Sequence, residues 1–112
     1  METTTEIQES NRLIAEFMGL DVLYDKLVKH ISVPGNMVTV MKYHESWDWI
    51  MPVVEKIEGL GFAVEISESY CCIKDGSSIL IDFGGGDYTK LSATYKAVSS
   101  FIYYFNQNIK WI

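Results

Sequence analysis

The side chains best equipped for chemistry crowd into one stretch, Tyr43-His44-Glu45-Ser46-Trp47-Asp48-Trp49. It holds an imidazole, two carboxylates and two of the three Trp residues of the chain. An imidazole beside carboxylates can move protons or ligate a metal, and indole faces can stack on a flat ligand. His44, Trp47, Asp48 and Trp49 are therefore the ligand-binding candidates. Their spacing restrains that reading. His44 and Asp48 stand four apart, but across a strand-to-helix junction, so two ligands on one helical face do not follow. A metal would want a third ligand, and His30 is the only other imidazole. Helix capping accounts for the same residues more simply. Ser46 and Asp48 suit the free N–H groups of a helix start, Trp47 the core, and Trp49 its edge. A hydrolytic or metal-assisted site would have to draw on His44, Asp48 and Glu55. The expectation is no metal, no cofactor and no catalytic set.

A second place for chemistry is Gly84-Gly85-Gly86, ahead of Asp87 and Thr89. Backbone N–H groups of a glycine-rich turn that opens a helix can cradle an anion. The run lacks both the Gly-Lys-Ser/Thr of a phosphate-binding loop and the Gly-x-Gly-x-x-Gly spacing of a dinucleotide fold. Asp87 also puts a negative charge where a phosphate would sit. A hinge or sharp turn is the expectation. Neither a serine nucleophile elbow nor a Cys–His pairing accompanies it, so an enzyme is not expected.

Positioning these residues falls to three helices and several short strands. Ile7, Ile14, Phe17 and Met18 share one face of a helix over about Glu6 to Met18, capped by Thr4 or Thr5 and stopped by Gly19. Leu20 to His30 fits helix and strand about equally, with a lean to strand over Asp21 to Tyr24. Val33-Pro34-Gly35-Asn36 reads as a turn, and Met37 to Tyr43 as an interior strand. The helix after Ser46 carries Trp47, Ile50, Met51, Val54 and Ile57 on one side and ends at Gly59 or Gly61. Pro52 cannot donate to the Asp48 carbonyl, which predicts a tight or kinked first turn and a regular helix from near Pro52. Phe62 to Ile66, Tyr70 to Lys74 and Ser78 to Phe83 alternate as strands, with Asp75-Gly76 as a hairpin signal. Asp87 or Thr89 then caps a long helix reaching about Asn108. The order predicts an α+β fold, an antiparallel sheet of about three to five short strands packed with an N-terminal, a central and a long C-terminal helix.

Length and composition bound the rest. A chain of 112 residues is one domain, 1–112, and its 48% hydrophobic and 21% charged residues make it globular. A net charge of −6 with a single arginine, Arg12, gives no basic footprint for DNA and no attraction to an anionic membrane. Cys71 and Cys72 are adjacent, too close for an unstrained bridge, and are expected as reduced thiols. Met1 to Gln8 is polar and acidic and lacks the features of a signal peptide, and no apolar run is long enough to span a bilayer. The expected location is the cytoplasm.

The last helix is greasier than one sheet requires. Leu91, Tyr95, Val98, Ile102, Phe105 and Ile109 form one stripe, and Ala97, Phe101, Tyr104 and Trp111 lie beside it. Together they cover roughly 200° of arc, about twice what a helix on a single core needs. Neighbouring helices or a second copy of the chain can cover the excess. The second option makes Phe101, Tyr104, Phe105 and Trp111 interface candidates in a homo-oligomer, a dimer first.

Three segments carry a resemblance: Asn11-Arg12-Leu13-Ile14-Ala15-Glu16-Phe17-Met18-Gly19, the run from Tyr43 through Trp49-Ile50-Met51-Pro52-Val53-Val54-Glu55-Lys56-Ile57-Glu58, and the late Tyr95, Val98, Phe101, Ile102 pattern. They resemble a group of small uncharacterised proteins of Bacteroidetes-type bacteria and their phages. That resemblance implies an accessory, often phage-borne gene product acting in the host cytoplasm, and it implies no activity. The leading expectation is a non-enzymatic protein acting through homo-oligomerisation and contact with a host protein. The alternative is a protein that binds or sequesters a small nucleotide signal, with Trp49, Tyr103, Tyr104 and Trp111 as stacking surfaces. The shortage of Lys and Arg stands against it.

Overall fold

In the computed structural model the described residues are 4–22, 30–33 and 37–108. The chain runs α1 (Thr4–Phe17), β1 (Asp21–Val22), β2 (His30–Val33), β3 (Met37–Val40), α2 (Trp47–Gly59), β4 (Ala63–Ser67), β5 (Tyr70–Asp75), β6 (Ser78–Gly84) and α3 (Lys90–Asn108). This is the α+β class, with all strand pairing antiparallel. The strands form two separate sheets of three, β1-β2-β3 and β4-β5-β6, rather than one. The strand over Asp21–Val22 is present, whereas Leu23 and Tyr24 lie outside the described residues. β2 was not expected, because Leu20 to His30 had no clear period. Most of the turn expected over residues 33–36 also lies outside the described residues.

α1 ends as its glycine dictates. Gly19 adopts φ +79 and donates to the Glu16 carbonyl at 3.0 Å, while Leu20 N–H reaches the Ala15 carbonyl at 2.9 Å. That pair of bonds turns the chain out of the helix. α2 starts earlier than the expected position near Pro52. The Ser46 carbonyl accepts from both Trp49 N–H at 3.2 Å and Ile50 N–H at 3.1 Å, so the first turn is tight, as expected, but the helix already runs from Trp47 with Pro52 inside it. Ser46 holds the extended geometry of a cap, but its side chain makes no capping bond. The Lys56 ammonium closes the other end of the packing by donating to the Phe17 carbonyl and lying 4.6 Å from the Phe17 ring centroid. A cation at the C-terminal carbonyls of α1 is favourable to its dipole.

In the β4-β5-β6 meander one face is apolar. Cys71 pairs with Phe83 and Ile73 with Ile81, and Cys71 and Ile73 are fully buried. Val64 and Ile66 on β4 continue this face, half-buried, while Ala63, Glu65 and Ser67 are exposed. α3 packs across β5 and β6. Its other flank meets α1 and α2. Phe101 is fully enclosed, 4.9 Å from the Phe62 ring, and Phe105 stands edge-on to Phe17 at 5.8 Å. Of the second apolar flank, Ala97 and Phe101 are buried within the chain and Tyr104 is half-buried. A single buried aromatic here contributes on the order of 3–5 kcal/mol relative to Ala.

Adjacent strand residues point to opposite faces, and the two cysteines show it. Cys71 is sealed in the core, where burial pushes its thiol up to about 11. Cys72 lies half-buried on the other face, its pKa also raised, by burial and then by the charge of Asp82. Mass spectrometry after native alkylation should find Cys72 modified and Cys71 intact until denaturant is added. Equal labelling rates for the two thiols would contradict this sheet orientation.

Candidate functional site

The glycine triplet joins β6 to α3, and its conformation is imposed by a neighbour. A Cβ on Gly84 would come within 2.3 Å of Tyr70 Cδ1 and 2.6 Å of the Ser69 carbonyl oxygen. Gly85 and Gly86 follow at φ +78 and +53, both in the left-handed region that glycine tolerates. Gly85 N–H bonds the Ser69 carbonyl at 3.2 Å, and Tyr88 N–H turns back to the Gly85 carbonyl at 3.0 Å. α3 then opens on a reciprocal cap. Ser92 N–H donates to Thr89 Oγ1 at 3.0 Å, and Thr89 N–H donates to Ser92 Oγ at 2.8 Å. Of the two capping residues expected, Thr89 is the one used. The first amides of α3, Lys90 and Leu91, have no partner within the helix. Gly86 and Asp87 N–H bond no backbone carbonyl among the described residues.

This loop is one wall of a cleft of about 720 Å³. The same cleft is lined by Glu6 and Ile7 of α1, by Ser92, Tyr95 and Lys96 of α3, and by His44. His44 follows β3 in a turn closed by Glu45 N–H on the Lys42 carbonyl at 3.1 Å. Its Nδ1 lies 3.2 Å from the amide nitrogen of Asn11, and its ring meets the Tyr95 ring at 6.0 Å and 61°. Tyr95 in turn donates its hydroxyl to the Ile7 carbonyl at 3.1 Å. Three elements thereby lock together behind one wall. The ionisable lining is mixed: carboxylates from Glu6 and Asp87, an ammonium from Lys96, and the imidazole. Backbone donors, aromatic faces and both signs of charge suit a compact polar molecule, and they suit a polyphosphate poorly.

Of the ligand-binding candidates, only His44 reaches this cleft. Trp49 is set edge-on to Tyr43 at 5.0 Å, and burial pushes the Tyr43 phenol up to about 12. Trp47 packs on the core and Asp48 is exposed at the start of α2. His44, Asp48 and Glu55 form no group able to hold a metal ion, and neither does any other such set among the described residues. Of the interface candidates, Phe101 is inside the core, Tyr104 and Phe105 are half-buried, and Trp111 lies outside the described residues. Tyr103 is the outward aromatic of α3, 52% exposed.

Asn11, Tyr95 and Lys96 were not among the site residues expected from the sequence, where Tyr95 stood only in the apolar stripe of the last helix. Asn11 left a readable mark. It follows Ile7 by four and precedes Ile14 by three, a polar residue in the middle of an apolar stripe.

Gly84→Ala should destabilise the fold by about 1–3 kcal/mol, as overpacking does. In a denaturation cycle with Tyr70→Ala the penalty should shrink by at least roughly 0.5 kcal/mol without vanishing, since the Ser69 carbonyl remains. Strict additivity would mean that Tyr70 does not shape the loop. Comparison of the chain with protein-family models, with curated proteins and with solved structures finds no match to any of them.

Proposed function

We propose that this protein works by binding a small polar molecule in the cleft between the Gly84–Gly86 loop and His44, without chemical turnover. The observation that carries this reading is the convergence of His44 with the glycine loop and the start of α3. The two are 40 positions apart in the chain and belong to different structural layers. The lining favours a ligand with one acceptor group, a donor or cationic group and a flat apolar part. Tyr88 and the imidazole supply the flat contacts. Two carboxylates against one ammonium make a zwitterion a better occupant than a nucleotide bearing several phosphates. An accessory role in a phage-infected host is compatible with such binding, and only the resemblance of the three helical segments supports it.

Melting temperature measured against a panel of amino acids, aromatic carboxylates, nucleobases, cyclic dinucleotides and ADP-ribose derivatives tests the reading. A ligand at about 100 times its Kd adds about 2.7 kcal/mol, enough to raise the Tm of a domain this small by several degrees. His44→Ala should abolish the shift. A panel that leaves the melting curve unmoved at millimolar concentrations removes the proposal.

Self-association through α3 is a second reading, and Tyr103 is what favours it. An aromatic half in water on the outward side of the helix can anchor a contact with another copy. Light scattering at micromolar concentration is expected to show a dimer that Tyr103→Ala weakens. A monomer alone, for the unmodified chain, rules this reading out.

A further inference from the structure

Asn11 is 4% exposed and stands behind the cleft, against the imidazole that lines it. Its amide nitrogen is 3.2 Å from His44 Nδ1. An amide NH2 only donates, so in this pair Nδ1 accepts, and the proton of the neutral ring belongs to Nε2. The two ring nitrogens point away from each other, so with Nδ1 turned in to α1, Nε2–H is turned out. Glu45 Oε2 lies 3.7 Å from Nε2, too far for a hydrogen bond, which leaves that donor available. The Asn11 carbonyl oxygen is enclosed and meets no donor among the described residues. A buried amide satisfied on one side only is destabilising, so packing does not account for an asparagine at this place in the stripe.

We propose that Asn11 is a positioning residue that holds neutral His44 as the Nε2–H tautomer and so turns this wall of the cleft into a hydrogen-bond donor. Gly86 and Asp87, whose N–H groups bond no backbone carbonyl among the described residues, line the same cleft. The matching ligand atom is then an acceptor: a carboxylate or carbonyl oxygen, or a ring nitrogen. The ligand preference rests on the binding role proposed above, whereas the tautomer does not.

Long-range proton–nitrogen NMR spectra of histidine-labelled protein read the tautomer directly. The spectra are recorded at about pH 9, above the ordinary histidine range, with His30→Gln used for assignment. The expected result is an unprotonated Nδ1 and a protonated Nε2 on His44. Asn11→Ala should let the two forms average, and Asn11→Asp should invert them, because a carboxylate can only accept from Nδ1–H. A purely structural asparagine would change stability and leave the tautomer alone. Protonated Nδ1 in the unmodified chain, or an Asn11→Asp spectrum identical to it, overturns the proposal. If Asn11→Asp does not fold, Asn11→Ala supplies the comparison, and a tautomer balance unchanged in it overturns the proposal. Titration with benzoate and benzylamine then separates acceptor from donor. Benzoate should shift Nε2 saturably and benzylamine should not. The reverse pattern overturns the donor assignment. Silence from both probes counts against the cleft as a binding site while the tautomer stands or falls on its own spectrum.

Discussion

Burial of α3 on two sides is the constraint from which the rest of the structure follows. A helix buried on one side only is positioned by one surface and can slide or roll. This one has Val98 and Ile102 sealed in the core along one stripe and Phe101 sealed beside them against Phe62, with Phe105 meeting Phe17. The meander fixes one flank, and α1 and α2 fix the other. Each layer buries too little apolar surface to be stable on its own, and the shared helix turns them into one core.

The cleft inherits its geometry from that arrangement. Its floor residues Ser92, Tyr95 and Lys96 are the first two turns of α3, and the reciprocal cap between Thr89 and Ser92 sets where those turns begin. The hydroxyl of Tyr95 reaches across to the Ile7 carbonyl, and its ring supports His44. Side chains held by packing and by bonds to backbone carry less conformational entropy into a complex than side chains on free loops. The mixed charges of Glu6, Asp87 and Lys96 sit on this frame.

Most of the elements were legible in the sequence because their signals are local. The period of α1, the glycine that stops it, the alternation in β4 to β6 and the Asp75-Gly76 turn each depend on residues a few positions apart. β2 escaped because its neighbourhood has no clean period, and α2 starts at Trp47 rather than near Pro52. A proline there forfeits one bond of the first helical turn, and the burial of Ile50, Val53 and Val54 outweighs it. The breadth of apolar surface on α3 was also legible, but not what covers it. Phe62 and Phe17 are far from Phe101 and Phe105 in sequence, and periodicity carries no information on such partners. The site was half visible for the same reason. His44 and the glycine triplet each stood out, and only the fold brings them together.

The tip of the β4–β5 hairpin has a reach beyond its own strands. Ser69 supplies the carbonyl that Gly85 bonds, and the next residue, Tyr70, lays its ring over Gly84. The rim of the cleft is therefore buttressed by Ser69 and Tyr70, which are not part of its lining. Wear at that loop, by a proteolytic nick, an insertion or a changed turn residue, would be felt at the mouth of the cavity before it was felt in the core.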